Sequence, residues 1–197
     1  DTELSEQPAT QGELRVLLGQ SLVEFAQRER GLAMAERGRS QLAKLYPQPS
    51  LLMVSVLNNI GLVRRKLGDL QGAESAIRES MQMLDQLPGE HSALRLQNRT
   101  VLDHVLGLRG HWVQALSNNH ARLADRMALL GGDDPGLAVD YNNLGVALLR
   151  LDDYSAALQA FDRCLQLLES GGLADSTRSA GAQRGRAVAL ARLGRWT

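Results

Sequence analysis

Gly19, Gly61 and Gly145 stand at multiples of one spacing, 42 residues, and other positions keep the same interval. Ala73, Ala115 and Ala157 return with it, as do Gly68, Gly110 and Gly194. Two residues after each of those turn positions, and after Asp152 in the same register, comes a bulky side chain: Leu70, Trp112, Trp196 and Tyr154. A period of this size means that one supersecondary unit is repeated, each copy burying its apolar face against its neighbours.

The unit written most clearly is Ala138 to Glu169. Tyr141, Leu144, Gly145 and Leu148 step i, i+3, i+4, i+7, one stripe of a helix. After a turn at Leu151-Asp152-Asp153-Tyr154, a second stripe runs through Tyr154, Ala157, Leu158, Phe161, Leu165 and Leu168. Two amphipathic helices joined by so short a turn fold back antiparallel. Gly145 and Ala157 fall where the two backbones approach most closely. The expectation is an all-α chain, an α-solenoid of antiparallel helix pairs.

Taken in order, residues 1–11 are polar, carry Pro8 and are expected to form a disordered lead-in; repeat units follow at about 12–49, 50–89, 90–133, 134–175 and 176–197, the last truncated. In the first unit Leu14, Leu17, Leu18, Leu22 and Phe25 form the expected inward stripe, faced by Leu32, Ala35, Leu42 and Leu45. The third unit is degenerate, with Asp103 at the Gly145 position and Asn119 at the Phe161 position. Gly131-Gly132-Asp133-Asp134-Pro135 reads as an inter-unit loop in which Asp134 caps a helix and Pro135 opens it. Because the chain stops at Trp196-Thr197, where a second helix should begin, it reads as a fragment of a longer protein, its last helix exposing Leu190, Leu193 and Trp196 to self-association.

The Leu-Gly, Ala and aromatic positions of unit four resemble the tetratricopeptide repeat. The Asp-Pro loop and the runs Asn142-Asn143-Leu144-Gly145 and Asn58-Asn59-Ile60-Gly61 resemble its longer, kinesin-light-chain type. The resemblance implies a right-handed superhelix and a protein- or peptide-binding role with no chemistry. It also implies a concave groove built from the first helix of each unit, in which an Asn bonds ligand backbone. The matching positions here are Asn59 and Asn143, with neighbours Asn58 and Asn142. By register the groove also takes His104 and Arg184, with Arg65 near the rim and Ser55, Gln97, Thr100 and Arg192 around them. An Asn amide carries both donor and acceptor, so it can pair with an extended peptide of any sequence; the competing reading ties these Asn residues to adjacent helices.

Motifs for chemistry are missing. None of His91, His104, His111 and His120 stands four residues from another His, and neither a Gly-x-Gly-x-x-Gly run nor a phosphate-loop lysine occurs. No catalytic residue, metal or cofactor is therefore expected. Cys164, the single cysteine, falls on a buried stripe and reads as a small core residue. With 22 basic and 22 acidic residues the charges cancel, which disfavours nucleic acid as a partner. The local exception is Arg178, Arg184, Arg186, Arg192 and Arg195, read either as a solvated face or as a site for an acidic partner or a nucleic-acid backbone.

No apolar run approaches the length needed to span a bilayer. Lysine occurs only at Lys44 and Lys66 against a majority of arginine, which points to a GC-rich, bacterial source. The functional expectation is a non-catalytic scaffold within a bacterial signalling, regulatory or secretion-associated protein, in the cytoplasm or alternatively the periplasm. The alternative is a solenoid that senses a peptide or small ligand and controls an attached effector domain.

Overall fold

The computed structural model describes residues 7–25 and 27–195. Among them the chain forms nine α-helices and no strand: α1 Pro8–Glu24, α2 Arg28–Leu45, α3 Leu51–Leu67, α4 Leu70–Asp85, α5 Ser92–Leu108, α6 Trp112–Leu130, α7 Ala138–Arg150, α8 Tyr154–Ser170 and α9 Thr177–Arg192. A 3-10 turn, Pro135–Leu137, leads into α7. The chain divides into two compact units, Asp1–Leu108 and Arg109–Thr197.

The turns explain the 42-residue period. Gly68, Gly110, Asp152 and Gly194 all have positive φ, between 60° and 83°, the left-handed conformation that ends a helix and favours glycine. Asp152, at φ 60°, is the one non-glycine residue in that region among those described. The helix that follows is capped by the next side chain: Asp69 accepts from Gly72 N at 2.8 Å and Asp153 from Ala156 N at 3.1 Å. Ser50 and Ser176 cap α3 and α9 in the same way. Asp134 accepts from Gly136 N at 2.7 Å, so the Gly131–Pro135 stretch is the loop and cap that its sequence suggests.

In the first unit α1 pairs with α2 and α3 with α4, while α5 packs on α4 and α3. The α1–α2 pair differs from the expected stripe. Its buried positions are Gly12, Val16, Gly19 and Val23 against Gly31, Ala35, Gly38 and Leu42. The stripe expected inward is largely outside: Leu17 and Leu18 are 52% exposed and Phe25 79%, and Leu14 and Leu45 are exposed too. Glycine is the reason. A Cβ on Gly19 would lie 2.5 Å from the Gly31 carbonyl oxygen, and one on Gly31 would lie 2.6 Å from that of Gly19. Backbones this close gain dispersion contacts along both helices that bulky leucine faces would hold apart. A second correction concerns the start of the chain: Pro8–Gln11 form the first turn of α1 rather than part of a disordered lead-in, Pro being suited to the opening of a helix. Residues 1–6 of that lead-in, and Trp196, lie outside the described residues.

The Gly61 and Gly145 positions are equivalent in packing as in sequence. The space a Cβ would take is filled by Ile77 at 2.6 Å in the first unit and by the Phe161 ring at 2.8 Å in the second. Phe161 also meets Gly185 of α9, so one ring is seated between two glycines of different helices. It is fully buried with Leu137, Ala157, Cys164, Leu167 and Leu168 in the core of the second unit.

Between successive hairpins a polar pair can occupy the interior. Ser80 of α4 donates to Val54 O at 2.8 Å, and Asn98 of α5 donates to Ser80 Oγ at 2.9 Å. One period later the same two positions hold Arg122 of α6 and Asp140 of α7, and one period later again Cys164 and Ala182.

Candidate peptide-binding trough

The sequence candidates fall on both compact units, and burial separates them. In the first unit Asn58 is 1% exposed, and its amide donates to Asn98 Oδ1 at 2.7 Å. It is a structural link from α3 to α5 and is not open to a ligand, which corrects its assignment to the groove. Repetition of Asn-Asn in the sequence does not distinguish the inward from the outward residue of each pair; the helical phase does. Asn59 and Arg65 are half-buried on α3, and His104 is exposed on α5. Of the neighbouring register positions, Ser55 is half-buried, Gln97 is exposed, and Thr100 turns its hydroxyl back to Leu96 O at 2.8 Å.

The second unit brings two candidates to one surface. A cavity of about 330 Å³ is lined by Val139 and Asn142 of α7, Cys164 and Leu168 of α8, and Arg178 and Gly181 of α9. A neighbouring recess of about 470 Å³, which also reaches Gly181, is lined by Val146 and Leu149 of α7 and by Arg184, Gly185 and Val188 of α9. The two form a trough along the α7–α9 seam. Val139, Val146 and Val188 are 36%, 37% and 48% exposed, an apolar strip open to solvent. Helical spacing puts Val139, Asn142 and Val146 on one side of α7, while Gly181 removes a side chain from the facing side of α9 and Gly185 makes room for the Phe161 ring beneath. Nothing lies within 4 Å of a Cβ built on Gly181. The trough is open at Gly181 because no side chain projects there.

Asn142 and Arg184 thus share the trough; Asn143 is half-buried on α7 outside its lining. At the far end Arg192 lies over the Tyr154 ring, 6.0 Å from its centroid. The Tyr154 hydroxyl donates to the Asp152 carboxylate, which raises the tyrosine pKa. Cys164, 1% exposed at the trough floor, has its thiol pushed up to about 11, chiefly by burial and opposed by a hydrogen bond with the Asn142 backbone. A thiol held protonated is a wall atom, in keeping with its reading as a core residue. The valine strip and Gly181 went unnoticed in sequence; the available signal was the replacement of Val139 of unit four by glycine at 181, one period later.

Arg186 leaves the trough and pairs with Asp162 of α8 at 2.6 Å. Leu190 and Leu193 are half-buried. Among the described residues no cluster of His, Cys, Asp and Glu is able to hold a metal ion, and no helix is long and apolar enough to cross a membrane.

Residues 104–170, from α5 to the end of α8, match the model of the tetratricopeptide repeat. This stretch is a tetratricopeptide repeat region. The helix-pair fold around it matches solved repeat structures over nearly the whole chain. A Podosopora anserina protein with nearly identical TPR-like repeats, described as a kinesin light chain, superposes with a TM-score of 0.80 at 15% identity, over 96% of this chain and 89% of that one. RapI in its apo form gives 0.78 at 10% identity over 98% of this chain and 53% of its own. BtubC (BKLC) from P. vanneervenii gives 0.64 at 20% identity, over 83% and 66%. Identities this low establish the fold alone, and it is the kinesin-light-chain-like form that the Asn-Asn runs resemble. No curated protein matches the sequence.

Proposed function

We propose that the chain is a non-catalytic protein-interaction scaffold that holds a peptide segment of a partner in the α7–α9 trough. The observation that carries this reading is the exposed valine strip beside Gly181, walled by Asn142 and Arg184. A preformed seam between two packed helices lowers the ordering cost of capture, because only the peptide has to be fixed. The tetratricopeptide repeat fold suits such a role, and the Asn142 amide offers donor and acceptor to a peptide backbone. Asn143, and on the first unit Asn59, Arg65 and His104, enter the proposal as additional partner contacts. A bacterial signalling, regulatory or secretion-associated setting in the cytoplasm belongs to the same proposal, its bacterial source supported by the excess of Arg over Lys.

Selection of displayed random peptides on the wild-type chain, counter-screened on Gly181→Trp, tests this reading. Selected peptides should lose binding to the variant; peptides that bind both equally would remove the trough from the account. A second reading, a sensor of small ligands, draws on the 330 Å³ cavity, which lies at the small end of the range for ligand pockets. It predicts that a metabolite panel contains a compound raising the Tm, with the gain abolished by Gly181→Trp.

A further inference from the structure

We infer that the occupant of the α7–α9 trough is an internal, extended acidic segment of a partner protein, with small apolar side chains against the valines and carboxylates toward Arg178 and Arg184. This rests on the reading of the trough as a peptide site and adds the chemistry of the peptide. Charge is the argument. Arg178 lines one recess and Arg184 and Arg192 the other, all three exposed. Arg186, on the same helix, is already neutralised by Asp162. Among the described residues no carboxylate pairs with Arg178 or Arg184. One carboxylate, Asp152, borders the trough at its far end, against the guanidiniums of Arg150, Arg178, Arg184 and Arg192. The wall therefore presents an excess of positive charge above an apolar floor, a combination that an alternating acidic and apolar strand would satisfy on both of its faces.

Size agrees. Arg178 to Arg192 spans fourteen helical steps, about 21 Å at 1.5 Å each, which an extended segment of about six residues would cover. The floor is valine and leucine, and the aromatic residue bordering it, Tyr154, lies at the far end beneath the Arg192 guanidinium, so a single-stranded nucleic acid would find phosphate partners and no row of rings to stack on. A protein segment uses both walls and floor; a polynucleotide uses only the walls.

The test is fluorescence anisotropy with labelled ten-residue peptides, acetylated and amidated so that terminal charge does not contribute. One alternates Asp with Val, one Ser with Val, and an oligo-dT of similar charge serves as competitor. The wild-type chain should bind the Asp peptide at least tenfold more tightly than the Ser peptide. Arg178→Glu with Arg184→Glu should remove that preference, and 0.5 M NaCl should weaken it. Gly181→Trp should abolish binding of both peptides with no fall in Tm, since its side chain enters open space. Equal affinity for the two peptides, still lost in Gly181→Trp, would overturn the acidic specificity and leave the trough standing. Binding indifferent to Gly181→Trp would overturn the trough itself. Failure of the wild-type chain to bind either peptide, or preference for oligo-dT over the Asp peptide, would overturn the proposal.

Discussion

Arg122 and Asp140 meet inside the second unit with Nε and Oδ1 2.8 Å apart, and both side chains are at most 4% exposed. Arg126 reaches the other carboxylate oxygen at 2.9 Å from a position 28% exposed. One repeat earlier the same positions are filled by Ser80 and Asn98, a neutral pair that also reaches Val54 O. The charges therefore stand where the fold tolerates an uncharged alternative.

Asp140→Asn should cost about 3–5 kcal/mol, because it strands a buried guanidinium. Arg122→Ser combined with Asp140→Asn rebuilds the Ser80–Asn98 arrangement and should recover most of that loss. Urea unfolding of the three proteins measures it; a double variant as unstable as the single would mean that the two joints are not equivalent.

Glycine substitutions should divide by environment. Gly19→Ala drives a methyl to 2.5 Å from the Gly31 carbonyl and should destabilise by about 1–3 kcal/mol. At Gly181, where the space is open, the same change should stabilise by about 0.5–1 kcal/mol through helix propensity. Opposite shifts in Tm are the expected reading.

Asn58→Ala breaks the bond to Asn98 and leaves a buried group short of a partner, at a cost of about 1–3 kcal/mol. Asn142→Ala, at the half-buried trough wall, should leave the stability within about 0.5 kcal/mol of wild type and weaken peptide capture. Calorimetry and binding measured on the same samples separate the two roles.

Cys164 should resist iodoacetamide in the native chain at pH 8 and react once unfolded. Its thiol titrates near 11 instead of the ordinary 9.0 because burial favours the neutral form. A raised pKa means that the folded chain holds the proton more tightly, so this contribution is complete below pH 9 and is lost as the pH climbs toward 11. Cys164→Ala should shallow the alkaline fall in stability over that window.

Much of the fold was legible because its constraints are local. Left-handed turns at 68, 110, 152 and 194 demand glycine or its nearest substitute, and Gly61 and Gly145 demand a large facing side chain, so both leave a period in the residues themselves. The first hairpin was misread because an apolar stripe and a small-residue stripe coexist on α1, and hydrophobicity alone favoured the leucines. Gly31 occupies the Ala157 position of that hairpin and was the overlooked sign of close backbone approach. The candidate site was legible only as register. Whether Asn58 or Asn59 turns inward depends on Asn98, forty residues away, and the trough depends on Gly181 of α9 having no side chain.

The changing chemistry at positions 80/98, 122/140 and 164/182 means that the hairpins are not interchangeable bricks. Were α6 packed on a helix with alanine at the facing position, as α9 has at Ala182, the Arg122 guanidinium would be sealed in without its carboxylate; were α4 packed on α7, Asp140 would face Ser80 in place of Arg122. Each junction thus acts as a keyed coupling that recognises its own neighbour, and shuffled or domain-swapped arrangements of otherwise similar hairpins are penalised before any partner arrives.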